Sequence, residues 1–560
     1  MARKFIPDNF NVDDVDAVKE VYTKLLNEDI PNDKEALRDW LLRNDEIDSI
    51  LSTVCDKRYV AMTCNTKDEK AAKEYEHLTN EVFPAITEIG HAIEKKLIAH
   101  PALEQIRDEF GEYIKGIEVS IRIFNKDNIP LNVELSNEVQ AYQKITGGMK
   151  VEFDGKTQTL PQMANLLEKT DRDLRERAWK AMWEERSKHF QELDNAFDKL
   201  YALRNKKAKN SGFTNFIDYI YTVKERCYTP KECYAFHDSV EKFVLPLCRK
   251  LGERDLSRMG LEKFRPWDVQ VDPLGREPLA PYKTGDELIE KVDQMFEAID
   301  HRAGKWAREM QAKHLIDADS RLGKAPGGYQ ATFDEERSPF IFMNGTGTDG
   351  DIYTLLHESG HSFHQYNRAH QPIVSFRSAP SEFAEVASMS MELLGMDQLG
   401  KFYNEDDANR SRETQLSGVI SLFPWISKID LFQHEIYKTD TTTAEDRNRL
   451  WKGINARFDT GLVDYSGFEH VHANDWQRQL HLFECPFYYI EYGIAQLGAI
   501  QVWMNYKKDP KKAINDLFAA EALGASRPVN ELFAAANIKF DFSAETIEPL
   551  VQFVAKELGV

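Results

Sequence analysis

Asp351–Gln365 reads DIYTLLHESGHSFHQ, and inside it His357, Glu358, Ser359, Gly360 and His361 spell H-E-x-x-H. An α-helix makes about 3.6 residues per turn, so side chains four apart stack on one face and both imidazoles can reach one metal ion. Glu358, next to the first imidazole, then stands where it can act on a water beside that metal. Five letters with three fixed also arise by chance, so the surroundings decide the reading. A catalytic zinc site takes three protein ligands and leaves one position open, and two histidines are not enough. The longer all-histidine pattern is not met, because His364 occupies the place of its glycine and Asn367 that of its third histidine. A carboxylate from a second helix is the remaining common solution.

Pro380–Gly395, PSEFAEVASMSMELLG, offers such a helix, bracketed by proline at its start and glycine at its end. Glu382, Glu385, Met389 and Glu392 fall on one side of it. Three acids on one face of an otherwise apolar segment need partners if buried. Spacing leaves both Glu382 and Glu385 open as third ligand, and Glu392 is suited to orient a ligand histidine from behind.

Upstream, Pro339–Asn344 holds Phe340, Ile341, Phe342 and Met343, suited to a short strand, and a glycine-rich run follows to Gly350. A strand next to the H-E-x-x-H helix suggests an edge to which an extended peptide adds through main-chain bonds, with Phe340–Asn344 presenting the substrate, while composition alone equally allows a buried structural strand ending in a flexible loop. The glycines are no phosphate cradle, because no Gly-Lys-Ser or Gly-Lys-Thr follows. Downstream, residues 464–503 are rich in aromatics and histidine, with His470, His472, Trp476, His481, Phe483, Phe487, Tyr488, Tyr489 and Tyr492. Beyond Pro486 the run is expected to be helical, with Tyr488 and Tyr492 one turn apart. Peptide hydrolysis needs donors that bind a tetrahedral oxyanion more tightly than the ground-state carbonyl, which a phenol or an imidazole supplies.

The remaining chain reads as scaffold. Residues 12–103 carry apolar positions at helical spacing, among them Val18, Tyr22, Leu25, Leu37, Trp40 and Leu41. Asp154-Gly155 between two alternating runs predicts a small hairpin near 149–160. Residues 171–201 return to helix, and Thr284 with Glu287 opens another. Arg265 to Lys283, rich in proline and glycine, reads as a long surface connection and a lobe boundary or flap. At 560 residues the chain exceeds the size of one core, so two or more lobes are expected: a helical lobe over 1–200, and a catalytic lobe over 201–560 with the zinc site inside 340–500, the two not independent domains.

The formal net charge of −21 disfavours nucleic acid and anionic membranes as partners. The start MARKFIPDNFNVDD has no apolar run behind its basic residues, so no secretory leader is expected, and the sequence holds no apolar run of about 18 residues that would predict a membrane span. Six cysteines without a C-x-x-C pair read as reduced, in a cytoplasmic protein, with Cys485 the one to watch because of its aromatic neighbours.

Four segments in order, PFIFMNGTGTD, TLLHESGHSFH, SEFAEVASMSMEL and HLFECPFYYIEYGIAQL, together resemble the thimet oligopeptidase family of zinc metallopeptidases, in its oligoendopeptidase F and Pz-peptidase branch. The tail RPVNELFAAANIKFDFSAETIEPLV is similar to that family's C-terminal helices. The resemblance implies His357, His361 and Glu385 as ligands of one catalytic zinc ion, with Glu385 taken over Glu382 through the E-V-A-S match. It implies Glu358 as general base, and His481 with Tyr488, Tyr489 and Tyr492 as contacts to the transition state and substrate carbonyl. The spacing from His481 to these tyrosines departs from that of thimet oligopeptidase itself, which leaves open which of them meets the oxyanion. His364 becomes a supporting residue. The implied fold is mainly α: two helical lobes enclosing a deep channel, with a small β-element beside the H-E-x-x-H helix. The implied activity is zinc-dependent endopeptidase cleavage of short unstructured peptides. A non-catalytic scaffold would not need Glu358, and no residues that grip a terminal carboxylate mark a carboxypeptidase.

Overall fold

The computed structural model describes residues 3–321, 323–325, 327–439 and 441–560. Helices dominate, and among those that frame the functional residues are α1 (Lys34–Cys64), α2 (Pro230–Ser239), α3 (Asp349–Arg368), α4 (Ser381–Gly395), α5 (Glu405–Ile436) and α6 (Tyr489–Lys508). The strands β1 (Lys150–Phe153) and β2 (Lys156–Thr159) form one small sheet; β3 (Ile316–Asp319), β4 (Tyr329–Phe333) and β5 (Ser338–Gly345) form another. The expected mainly α fold with a small β-element beside the H-E-x-x-H helix is what the chain adopts. Among the described residues no helix is long and apolar enough to cross a membrane.

Two compact units form, and neither is contiguous in sequence. The first comprises Met1–Arg122, Ala280–Asn409 and Ala495–Phe540; the second comprises Ile123–Leu279, Arg410–Ile494 and Asp541–Val560. These units do not coincide with a division into 1–200 and 201–560. The reason lies in long-range polar ties that no local pattern announces. In the first unit the buried Arg377 guanidinium donates to Asp334 Oδ1 at 3.1 Å and to Ser49 Oγ at 2.7 Å. Asp45 Oδ1 accepts from the Val374 N–H at 2.6 Å. Together they bind α1 to the β4–β5 region. Around them Trp40, Leu41, Phe110 and Phe376 share one apolar core. The break between Leu279 and Ala280 does fall inside the proline- and glycine-rich stretch. That stretch is less superficial than expected, because Asp268 is buried and held by Arg172 and Arg175 at 2.8 and 3.1 Å.

The three-stranded sheet has the order β3-β5-β4. β5 pairs in parallel with β3 and antiparallel with β4, Phe342 opposite Tyr329 and Phe340 opposite Ala331. Phe340–Asn344 therefore lies in the central strand, with both edges occupied. It cannot be the edge to which a peptide adds, because its main-chain groups are already used. From β5 the chain enters α3 through a cap in which Asp351 Oδ2 accepts N–H bonds from Thr346 and Thr348 at 2.9 and 2.8 Å. The Tyr282 hydroxyl donates to the same oxygen at 2.6 Å, so the register of α3 is set before its first histidine.

In the second unit the hairpin forms where Asp154 and Gly155 predict it, both in the left-handed region at φ 48° and 76° as a two-residue turn of this kind requires. Its helical core contains a sealed polar cluster. Cys233 and His237 sit four apart on α2, and Asp430 and His434 four apart on α5. Asp430 Oδ2 accepts from His237 Nε2 at 2.9 Å and lies 3.2 Å from His434 Nδ1. Burial would lower His434, but the Asp430 carboxylate outweighs it and pushes the imidazole up to about 10. The same pairing holds Asp430 well below the carboxylate range against the opposing effect of burial.

A raised imidazole stabilises the native state fully below its ordinary value near 6.5, and that stability fades as pH climbs towards 10. A depressed carboxylate stabilises above its ordinary value near 4 and loses that effect in acid. Asp430→Asn should cost about 3–5 kcal/mol in urea unfolding at about pH 6, by leaving a buried imidazolium without its counter-charge. The deficit against the wild-type protein should shrink at about pH 9; an equal deficit at both values would show that His434 is not charged in the core.

Candidate active site

α3 and α4 meet at Gly360. A Cβ built there would lie 2.5 Å from Ser388 Cα and 2.8 Å from the Ala387 carbonyl oxygen, so only glycine lets the two backbones come this close. Along α3 the four-residue spacing puts His357 and His361 on one face, their ring centroids 4.9 Å apart at 84°. Glu385 on α4 enters from the opposite side, its Oε2 3.4 Å from His357 Nε2 and 3.7 Å from His361 Nε2. The Ser388 hydroxyl donates to Glu385 Oε2 at 3.0 Å and steadies that carboxylate. One ligand-type atom from each of His357, His361 and Glu385 lies within 4.8 Å of the others. Glu382 is buried on the same helix but is not part of this converging set.

Behind the trio, Glu392 Oε1 accepts from His357 Nδ1 at 2.7 Å, which turns Nε2 towards Glu385. Burial lowers His357, yet Glu385 and Glu392 reverse this and hold the ring well above the ordinary imidazole value. Burial wins at His361, which falls to about 4 and offers a neutral nitrogen. At Glu385 burial opposes ionisation, but His361, His357 and Ser388 bring the carboxyl down to about 2. The set thus consists of a firmly ionised carboxylate and two nitrogens, one held in a field that attracts a proton. A divalent cation answers the same field, and two imidazoles with one carboxylate are a donor set that suits zinc. His357 and His361 keep 23% and 20% of their side-chain surface open, as a site with a position for water requires.

Glu358 is buried beside them and pushed up to about 7, by burial first and by the nearby Glu385 and Glu392 charges, with His357 opposing. A side chain at Gly328, where β4 begins, would come within 3.6 Å of Glu358 Oε1, so this backbone runs alongside the acid. His364 is fully buried edge-on to Phe383, and burial holds it neutral, which fits a packing role.

The second unit gathers His481, Tyr488, Tyr489 and Tyr492. The His481 ring lies 5.8, 4.9 and 5.7 Å from the three tyrosine rings in that order, and Tyr492 is 5.2 Å from Tyr488 and 5.5 Å from Tyr489. Tyr488 precedes the helix rather than belonging to it, because Phe487 turns the chain with φ 63°. The Phe487 N–H donates to Gln433 Oε1 at 2.5 Å, and its carbonyl accepts from Arg226. Gln479 donates from Nε2 to His481 Nδ1 at 2.6 Å. Neither Gln479 nor the Phe487 turn was visible in the sequence, where a glutamine two residues from a histidine and a phenylalanine after proline are unremarked. Cys485 is half-buried and its thiol is pushed up to about 11, mainly by burial, so it is no reactive nucleophile.

Among the described residues one other group, Cys233 with Asp430 and His434, brings ligand-type atoms within 4.8 Å of one another. All three are buried, and the Tyr221 hydroxyl bonds His434 Nε2 at 2.9 Å and contacts Cys233 Sγ at 3.2 Å. The group is a closed hydrogen-bond network without access for substrate.

The sequence model for "Peptidase family M3" matches residues 165–551, and that for the "Peptidase M3 N-terminal domain" matches residues 5–124. The group B oligopeptidase PepB of Streptococcus agalactiae is 24% identical over 353 residues, covering 61% of this chain and 55% of its own. An oligoendopeptidase F homolog of Lactococcus lactis subsp. lactis is 23% identical over 437 residues, covering 76% and 66%. The chain thus spans just over half and about two thirds of the lengths of these curated relatives. The solved structure of Pz peptidase A with an inhibitor superimposes with a TM-score of 0.91 at 28% identity over 99% of both chains.

Gly360→Ala tests the helix contact. The added methyl must push α4 away from α3, which should cost about 1–3 kcal/mol and withdraw Glu385 from the histidines. Divalent metal retained after dialysis should fall well below that of the unsubstituted protein while circular dichroism keeps its helical signature. Unchanged metal content would show that the close approach does not set the geometry of His357, His361 and Glu385.

Proposed function

The chain belongs to peptidase family M3, and from that premise and the geometry of its site we propose a zinc-dependent endopeptidase that hydrolyses internal bonds of short unstructured oligopeptides. The observation that carries the reading is the convergence of His357, His361 and Glu385, with Glu358 beside them and part of both imidazoles open to solvent. We assign His357, His361 and Glu385 as ligands of one zinc ion. When bound, zinc supplies Lewis acidity to a scissile carbonyl and makes an attacking water more acidic.

The remaining steps belong to the protein's side chains. Glu358, buried beside the two imidazoles, takes the proton of the attacking water and returns it to the leaving amine. Glu392 holds the His357 proton at Nδ1, so the Nε2 lone pair stays directed forward. His481 with Tyr488, Tyr489 and Tyr492 is assigned to the oxyanion and the substrate carbonyl, on the chemistry of their N–H and O–H donors and on the family motif. Burial raises the Tyr489 phenol, which keeps it a donor at neutral pH. Because β5 is central, β4 takes its place as the strand to which an extended substrate adds. Its first residues follow Gly328, which flanks Glu358, and main-chain pairing there would align a scissile bond with little demand on side chains. Reduced cysteines and the acidic surface fit a cytoplasmic enzyme acting on peptides.

An internally quenched peptide blocked at both ends should be cleaved, and a chelator should abolish cleavage until zinc is restored. Glu358→Gln should keep its zinc and lose about 10²–10⁴-fold in kcat. Cleavage confined to unblocked peptides would replace endopeptidase by exopeptidase; near-normal turnover in the variant would remove Glu358 as the base.

A further inference from the structure

We propose that Gln479 is a positioning residue that holds the His481 imidazole in the tautomer with its proton on Nε2, and that Trp425 sets the direction of this hold. The Trp425 indole N–H donates to Gln479 Oε1 at 2.8 Å. An indole nitrogen can only donate, so the amide oxygen must face it and the amide nitrogen must face the other way. That nitrogen lies 2.6 Å from His481 Nδ1. An amide nitrogen also only donates, so Nδ1 must accept, and a neutral ring that accepts at Nδ1 carries its proton on Nε2. A proton on Nδ1 would set two N–H groups against each other.

The relay is anchored at its far end. The Arg478 guanidinium lies over the Trp425 ring at 4.2 Å, and Trp451 meets the same ring edge-on at 5.7 Å. The Gln479 N–H donates to the Trp476 carbonyl at 3.0 Å, fixing the backbone from which the amide projects. At the near end Tyr489 and Tyr492 pack edge-on to the imidazole and limit its rotation. The amide therefore selects a tautomer instead of following one.

The consequence for turnover rests on the oxyanion role assigned to His481 above; the tautomer itself does not. With Nε2–H preset, the ring is a neutral donor that needs no extra proton and no rearrangement when charge develops on the substrate oxygen. The opposite tautomer would present a lone pair to that oxygen and repel it.

Histidine-selective 15N NMR of the zinc-loaded enzyme tests this, with the His481→Gln spectrum used to identify the His481 signals. The unsubstituted protein should show Nδ1 unprotonated and Nε2 protonated. Gln479→Glu keeps the size and the bond from Trp425 but turns an acceptor to the ring, and should move a proton onto Nδ1. Trp425→Phe, which frees the amide to flip, should give a mixture. Gln479→Met, with no donor, should lower kcat by up to about 10²-fold at unchanged KM. A protonated Nδ1 in the unsubstituted protein, or no change in Gln479→Glu, overturns the proposal. A tautomer that shifts in Gln479→Glu and Trp425→Phe while kcat stays constant in all three variants supports the positioning of His481 and removes the oxyanion role from it.

Discussion

The close approach of α3 and α4 at Gly360 is the constraint from which the metal-binding geometry follows. Two helices with ordinary side chains at their contact stand about 8–10 Å apart between axes. Removing the Cβ at Gly360 brings the backbone of α3 against Ala387 and Ser388 of α4. A second close fit follows at Gly395, where a Cβ would meet Leu356 Cδ1 at 2.5 Å. Glu385, one turn before Ser388, is the acid of α4 whose Oε2 comes within 3.4 Å of His357 Nε2 and 3.7 Å of His361 Nε2.

That proximity also sets the electrostatics. Glu385 and Glu392 both lie within 3.4 Å of a His357 ring nitrogen, and Glu358 is buried nearby. Negative charge so concentrated in a poorly solvated place either binds a cation or keeps a proton. Glu385 is ionised by its contacts, whereas at Glu358 burial outweighs the opposing pull of His357 and holds the carboxyl near 7. The proposed division of labour, Glu385 as ligand and Glu358 as base, would come from which carboxyl touches the imidazoles. The cluster in the second unit also joins imidazoles and a carboxylate across two facing helices, there from two pairs four apart, with the opposite result. There the side chains of His237 and Asp430 are fully enclosed, and the protons are shared internally.

What was legible in the sequence is what helical and turn periodicity encodes. The H-E-x-x-H face, the acidic face of 380–395, the Asp154-Gly155 turn and the mainly α class all follow from spacing within one or two turns. Glu392 behind a histidine was readable on the same basis, and the choice of Glu385 over Glu382 needed the family likeness. Features that depend on partners far away in the chain were not readable. The order of strands in a sheet is not written in any one strand, so the sequence left β5 open between an edge and a buried structural strand, and it proved central. The noncontiguous units depend on contacts such as Arg377 with Ser49, 328 positions apart. Gln479 takes its meaning from Trp425, 54 positions away, and no pattern links the two.

The Phe487 turn shows why a polar cluster persists in the core of the second unit. A non-glycine residue at φ 63° costs about 1–2 kcal/mol and needs surroundings that enforce it. Gln433 and Arg226 hold its N–H and carbonyl, while the rings of His434, Tyr221 and Tyr437 close around its side chain at 5.1, 6.1 and 5.7 Å. His434 and Tyr221 are themselves oriented by Asp430 and by each other. Apolar residues of equal volume would fill this space at no loss of stability, but would not fix ring orientation through directed bonds. The network thus holds Phe487, which leads into the start of α6, where Tyr488, Tyr489 and Tyr492 pack about His481. Under the proposed role of His481 and these tyrosines, donors held in this way would need no reordering when charge develops, which is the condition under which a phenol or imidazole helps a transition state more than a ground state.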